Sequence, residues 1–203
     1  MKFTENTIFH IYNQGNNRQP IFFKDENYLF FLKKMRDYLL PYGDLLCYCL
    51  MPNHFHWLMY VRNLSQEVTN PGESSEAVTP SHRLTTPRQR NLNDSIAILL
   101  RSYTRAINLQ ENRSGSLFRK ETKAKDGWED VTLCPSHVNY GKVLQNWELY
   151  GPTCFNYIHN NPIEANLVVR SEDWVYSSAS DFAGLRKGTL CNQNLAKELL
   201  FFT

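Results

Sequence analysis

The order of the predicted segments favours an α+β fold, in which a ferredoxin-like antiparallel sheet carries helices on one face. Three observations support this: short runs rich in β-branched and aromatic residues, longer segments with apolar residues at helical spacing, and turn residues between them. The order is strand, helix, strand, strand, helix, strand and a further helix. With 203 residues, 42% of them hydrophobic, residues 1–203 are expected to form one domain.

The first part of the chain predicts a strand followed by a helix. Residues 3–12 have the composition of a strand, and the turn residues of 13–18 (NQGNNR) end it. From Asp25 onwards apolar residues recur every three or four positions, which indicates a helix. Pro41 and Gly43 disfavour its continuation, so we expect the helix to end before them.

Two apolar runs then predict a β-hairpin. Residues 44–50 and 54–61 are divided by residues 51–53 (MPN), which suits antiparallel strands joined by a tight turn. Residues 65–90 that follow are rich in Ser, Thr, Pro and Glu and show no apolar periodicity. We expect this segment to be a flexible surface insertion.

The second half of the chain returns to helical spacing. Apolar residues at helical spacing predict a helix over 92–107, and a short strand is expected at 116–124. Residues 126–150 show no clear pattern. Pro152 suits the first turn of a last helix, and Pro162 interferes with the continuation of that helix.

Composition excludes several classes of protein. The five cysteines are odd in number and scattered, which argues against a disulfide framework and favours the reducing cytoplasm. Their expected role is that of small buried hydrophobic residues. No signal-peptide pattern stands near the N-terminus, and no run of about 18 apolar residues could span a membrane. We therefore expect a soluble cytoplasmic protein.

Basic side chains are concentrated in the middle of the chain. The net charge is only +2, but residues 91–126 carry seven basic and four acidic side chains, whereas residues 127–203 carry five basic and eight acidic ones. A face that binds phosphate is therefore expected in the middle third. Its candidate residues are Arg101 and Arg105, four apart on the outer face of a helix, and Arg119, Lys120, Lys123 and Lys125, in or just beyond the following strand.

The second strand of the predicted hairpin carries two histidines. Successive side chains of a strand point to opposite faces, so His54 and His56 face the same way while Phe55 and Trp57 point to the other face. Two imidazoles two residues apart on a strand can both reach a single divalent ion. The alternative is that both histidines merely lie on a half-exposed strand.

The last predicted helix carries a second polar cluster. In residues 155–162 (FNYIHNNP), Tyr157 and Asn161 are four apart and share one face of a helix. The amide oxygen of Asn161 could serve as a third ligand, which would set the phenol of Tyr157 beside the cation. The alternative is a buried tyrosine followed by an Asn-Pro pair that ends the helix.

Taken in this order, the motifs resemble those of the REP-associated tyrosine transposases, which belong to the single-tyrosine transposases of the HUH endonuclease class. The resemblance rests on HFH (54–56) within MPNHFHWLM, on YIHNNP (157–162) and on EDWVYSSASDF (172–182). It extends to HIYNQGNNRQPIFF (10–23) and to SLFRKETKAK (116–125).

The resemblance implies a ferredoxin-like fold and a tyrosine nucleophile that acts on single-stranded DNA near hairpins. It also implies magnesium or manganese, held by both histidines and by a polar residue on the tyrosine helix. In this sequence the nucleophile would be Tyr157, and the metal ligands would be His54, His56 and Asn161. The implied activity is that of a metal-dependent single-strand DNA endonuclease and strand transferase with a 5′-phosphotyrosine intermediate.

The resemblance leaves three points open. Asn17 and Arg18 could contact the bases or phosphates of a hairpin, or could belong to an ordinary polar loop. Related insertion-sequence transposases act as homodimers, whereas a monomer suits the REP-associated members. Two other functions also fit: a non-catalytic regulator that binds DNA hairpins with the same fold, and a metal-dependent hydrolase in which Tyr157 only packs.

Overall fold

The computed structural model describes residues 1–68, 88–126 and 147–201. Its strands are β1 (Thr7–Gln14), β2 (Gly43–Met51), β3 (His54–Val61), β4 (Ser65–Val68), β5 (Arg88–Asn91) and β6 (Lys123–Asp126). Its helices are α1 (Asp25–Leu39), α2 (Leu92–Gln110), α3 (Trp147–Glu164), α4 (Ala179–Phe182) and α5 (Gln193–Phe201). None of the helices in these ranges is long and apolar enough to cross a membrane.

The central sheet has four strands in the order β2-β3-β1-β6, and each neighbouring pair is antiparallel. This arrangement confirms the predicted α+β class. In the register between β1 and β3, Tyr12 lies opposite His56 and Gln14 lies opposite His54. The end of β1 therefore runs beside the histidine pair.

The expectation of helices on one face needs a correction, because helices cover both faces of the sheet. Helices α1 and α2 pack on the face that carries Phe55 and Trp57. Helices α3 and α5 pack on the opposite face, where Ile158 and Leu200 join Leu58 in a second apolar cluster. The second layer forms because alternate residues of β2 and β3 are apolar on that face as well.

Several boundaries also differ from the predictions. The two ends of the expected insertion pair with each other as β4 and β5, and its residues 69–87 lie outside the described ranges. The strand expected at 116–124 begins only at Lys123, because Phe118 makes a single bridge to Gly15 and the backbone of Arg119 bonds to Gln14. Most of residues 126–150, which gave no prediction, also lie outside the described ranges.

Helix α3 continues through Pro162, where an end was expected, and stops at Glu164. Beyond it, Asn166 adopts a left-handed conformation with φ of 56°. The backbone N–H of Asn166 donates to Ile163 at 2.9 Å, and that of Leu167 donates to Pro162 at 2.9 Å. This is a Schellman ending, in which asparagine replaces the usual glycine. Asn161 therefore stays within the helix, although the residue before a proline favours an extended backbone.

The cysteines behave as predicted where they are described. Cys47, Cys49, Cys154 and Cys191 are buried and form no disulfide, and Cys134 lies outside the described ranges. Cys47 and Cys49 both join the apolar cluster beneath α3. Burial raises the pKa of the Cys49 thiol to about 12, so this thiol stays protonated at neutral pH.

Candidate metal and tyrosine site

Strand β3 and helix α3 bring the four predicted site residues together. His54 is the first residue of β3, and His56 follows on the same face, with ring centroids 5.1 Å apart and ring planes at 85°. Tyr157 and Asn161 lie one turn apart on α3, which packs over that face. The ring of Tyr157 lies 5.5 Å from that of His56, and Asn161 lies beside His54.

Hydrogen bonds fix the tautomer of His54. The side-chain amide of Asn53 donates to the carbonyl of Arg18 at 3.2 Å, which turns its oxygen towards Nδ1 of His54, 2.6 Å away. Because an amide oxygen only accepts, Nδ1 of His54 must carry a hydrogen. Burial lowers the pKa of His54, which the contact with Asn161 only partly offsets. The ring is therefore neutral at pH 7, with a lone pair on Nε2.

The amide of Asn161 is oriented by its own helix. Its Nδ2 donates to the carbonyl of Tyr157 at 2.8 Å, so its Oδ1 faces Nε2 of His54 at 3.4 Å. In the neutral tautomer with the hydrogen on Nδ1, Nε2 of His54 and Oδ1 of Asn161 would both present lone pairs, an arrangement that a shared cation stabilises. Neighbouring ligands of one octahedral magnesium ion lie about 3 Å apart, close to the observed separation. The donor set therefore fits a divalent cation.

His56 is more deeply buried than His54 and is also neutral. Burial, with further contributions from His10 and His54, lowers the pKa of His56 well below its ordinary value. Neutral imidazoles are the form that binds metals. Within the described ranges no three His, Cys, Asp or Glu side chains are grouped as a metal site, so the amide of Asn161 would have to complete the protein ligands.

A cavity of about 210 Å³ opens beside these residues. It offers room for part of a substrate next to Tyr157, and basic as well as polar side chains line it. The lining residues are Tyr12, Asn13, Gln14, His54, His56, Arg119, Glu121, Lys123 and Tyr157.

The middle-third basic residues predicted to contact DNA line three depressions of the surface. Arg119 and Lys123 line the cavity of Tyr157, whereas Arg101, Arg105 and Lys120 line a groove between α2 and the segment that leads into β6. The cavity and the groove share Asn13 and Arg119, so their linings are continuous. Lys120, Lys123 and Lys125 also line a third depression beside the start of α2.

Asn17 and Arg18 stand apart from these linings. Both are exposed, and both have left-handed backbone conformations, with φ of 52° and 58°. The carbonyl of Arg18 accepts the hydrogen bond from Asn53, which links this loop to the turn that precedes His54. Arg18 therefore helps to hold that turn through its backbone carbonyl, and the contact of Asn17 and Arg18 with DNA stays a prediction.

Sequence reasoning missed two residues that contact the histidine pair. His10 on β1 lies 2.9 Å from His56 through Nε2 and Nδ1, and Asn53 bonds to His54. The position of Asn53 directly before His54 was a usable signal. His10 gave none, because its contact depends on the pairing of β1 with β3 across 46 positions.

The structure is similar to a solved structure of a REP-associated tyrosine transposase bound to a REP hairpin. The match has a TM-score of 0.52 and covers 95% of this chain and 94% of that chain, at 11% sequence identity. No protein-family model matches the chain, and no curated protein matches it in sequence. At this level of identity the similarity bears on the fold. The chain therefore shares, over almost its whole length, the fold of a REP-associated tyrosine transposase.

Proposed function

We propose that this protein is a metal-dependent single-strand DNA endonuclease and strand transferase that acts on DNA containing a hairpin. The observation that carries the proposal is the position of Tyr157. Its ring lies 5.5 Å from that of His56, in the lining of a cavity that also contains Arg119 and Lys123. A candidate nucleophile, neutral metal-binding imidazoles and cations for phosphate thus meet in one place.

Tyr157 would form a covalent link to DNA. Its phenolic oxygen attacks the phosphorus, the bond from phosphorus to the 3′ oxygen breaks, and the hydrogen lost by the phenol is balanced by the hydrogen gained by the 3′ oxygen. The products are a 5′-phosphotyrosine and a free 3′-hydroxyl. Because one phosphodiester replaces another, the strand can be rejoined without ATP, which attack by water would prevent.

Phenols titrate near pH 10, so the attack needs assistance at neutral pH. His54 and His56 through Nε2, and Asn161 through Oδ1, would hold Mg²⁺ or Mn²⁺. When bound, such a cation polarises the phosphate and offsets the charge that develops on it. All four residues belong to one chain, so the proposed chemistry does not require the homodimer that the sequence left open.

The continuous basic lining supports a path for the DNA backbone. Arg119 lies where the tyrosine cavity meets the groove of Arg101, Arg105 and Lys120, so phosphates on both sides of the cleaved bond would meet cations. The similar transposase was solved with a REP hairpin. That finding supports a hairpin as the DNA element recognised here.

Strand-specific labelling tests the proposal. An oligonucleotide with a hairpin and a single-stranded flank is incubated with the protein and Mn²⁺, then separated under denaturing conditions. Label on the 3′ side of the break should migrate with the protein, and label on the 5′ side should be released on a strand that a polymerase can extend. Release of both labels would indicate a hydrolase. Binding of the hairpin without cleavage would indicate a regulator.

A further inference from the structure

His10 makes a hydrogen bond that no chemical step above uses. It lies on β1, is only 2% exposed, and places Nε2 at 2.9 Å from Nδ1 of His56. The two rings are nearly parallel, with centroids 5.0 Å apart and an angle of 26° between planes. A buried imidazole that bonds directly to a candidate metal ligand is a natural candidate for a positioning residue.

A single hydrogen lies between these two nitrogens, and its position decides what His56 can do. If Nδ1 of His56 carries the hydrogen, Nε2 keeps a lone pair and can bind a cation. If Nε2 of His10 carries it, the neutral ring of His56 has its own hydrogen on Nε2 and cannot bind a cation there. The tautomer of His10 therefore controls whether His56 is a ligand.

We propose that His10 is a positioning residue, which accepts the Nδ1 hydrogen of His56 and thereby presents Nε2 of His56 to a divalent cation. This inference rests on the proposed metal site. Asn53 makes the equivalent bond to His54, where the geometry requires Nδ1 of the histidine to be the donor. Each histidine of the pair would thus have its own acceptor, an amide oxygen for one and an imidazole nitrogen for the other.

The choice of an imidazole has an electrostatic consequence. Metal-binding histidines commonly donate to a carboxylate, and a carboxylate at this depth would place a negative charge close to the phosphate. An imidazole that accepts a hydrogen bond through Nε2 is neutral, so His10 can accept the hydrogen of His56 without adding charge. The pair His10 and His56 thus orients a ligand and leaves the charge balance of the cavity in favour of phosphate.

The test measures Mn²⁺ affinity by titration calorimetry, without DNA. His10→Phe removes the acceptor and keeps an aromatic ring, and should bind Mn²⁺ about 10-fold to 100-fold more weakly than wild type. His10→Gln restores an accepting oxygen and should recover part of the loss. His159→Phe is the matched control, because His159 is also buried but bonds to Ser178, and it should bind like wild type.

Three results would overturn the inference, and they separate it from the proposed function. Equal affinity of His10→Phe and wild type removes the role of His10 and leaves the metal site. Absence of Mn²⁺ binding by wild type removes both. If His10→Phe does not fold, nitrogen NMR of the wild-type imidazole rings decides. A hydrogen on Nδ1 of His56 supports the inference, and a hydrogen on its Nε2 overturns it.

Discussion

His56 on β3 and His159 on α3 are equally buried, each 6% exposed, yet their hydrogen bonds differ in kind. His159 bonds through Nε2 to the hydroxyl of Ser178 at 2.8 Å, and that hydroxyl also bonds to the backbone of Tyr48. His56 bonds through Nδ1 to another imidazole. The His159 bond ties α3 to the C-terminal segment, which Ser178 in turn joins to β2. The His56 bond uses Nδ1 and does not engage Nε2.

Burial alone therefore does not separate a structural histidine from a candidate ligand. Burial lowers the pKa of His159 to about 4 and that of His56 well below its ordinary value, so both rings are neutral. What separates them is the nitrogen that remains after the internal hydrogen bond is made. For His56 that nitrogen is Nε2, and the His56 side chain lines the cavity of Tyr157, whereas His159 uses its Nε2 to bond to Ser178.

The largest expected difference concerns cleavage. His56→Ala or His54→Ala should abolish metal-dependent cleavage, because a strand site reduced to one imidazole loses its chelate geometry. His159→Gln should cleave like wild type. The assay is strand cleavage with Mg²⁺ and with Mn²⁺, with a thermal melt to show that each variant is folded. Cleavage at the wild-type rate by either alanine variant would refute the metal assignment.

The next effect concerns stability in acid. The pKa of His159 is about 4 in the folded protein and about 6.5 in an unfolded chain, so the unfolded state takes up the proton first. Above pH 6.5 His159 is neutral in both states and does not destabilise the fold. As the pH falls from 6.5 to 4, protonation of the unfolded state lowers the free energy of unfolding by about 3 kcal/mol. His159→Gln should lack this component in urea unfolding between pH 4 and 7. An unchanged pH dependence would show that His159 is not buried as a neutral ring.

The smallest effect concerns the DNA path. A variant with Arg119, Lys120 and Lys123 all replaced by Ala should bind hairpin DNA of every sequence more weakly, because phosphate contacts carry no sequence information. The slope of log affinity against log salt should become shallower by about 2, because three phosphate contacts are lost and each contributes about 0.7 on a single strand. Fluorescence anisotropy at several salt concentrations measures this slope. An unchanged slope would place the DNA elsewhere on the surface.

Local patterns predicted the site because strand and helix periods are fixed by covalent geometry. Alternation along β3 placed His54 and His56 on one face, and the spacing of four placed Tyr157 and Asn161 on one side of α3. The predicted end of α3 was too early, because the Schellman ending at Asn166 stabilises the last turn beyond Pro162.

Two features of the site depend on pairing between segments far apart in the sequence, so local patterns could not predict them. The contact between His10 and His56 follows from the register of β1 against β3, which no local pattern encodes. The strand predicted near residue 116 began later because side-chain bonds replace the ladder there. Asn13 donates to the carbonyl of Arg119 and to the hydroxyl of Thr122, which holds this segment against β1 without regular pairing.

The identity of the nucleophile is the central claim, and mass spectrometry of the trapped complex tests it most directly. Wild type is incubated with hairpin DNA and Mn²⁺, the DNA is trimmed by nucleases, and the protein is digested to peptides. The peptide that contains Tyr157 should carry the mass of a 5′-linked nucleotide, and Tyr157→Phe should bind the hairpin but yield no modified peptide. A nucleotide on another residue, or cleavage by Tyr157→Phe, would contradict the assignment of Tyr157.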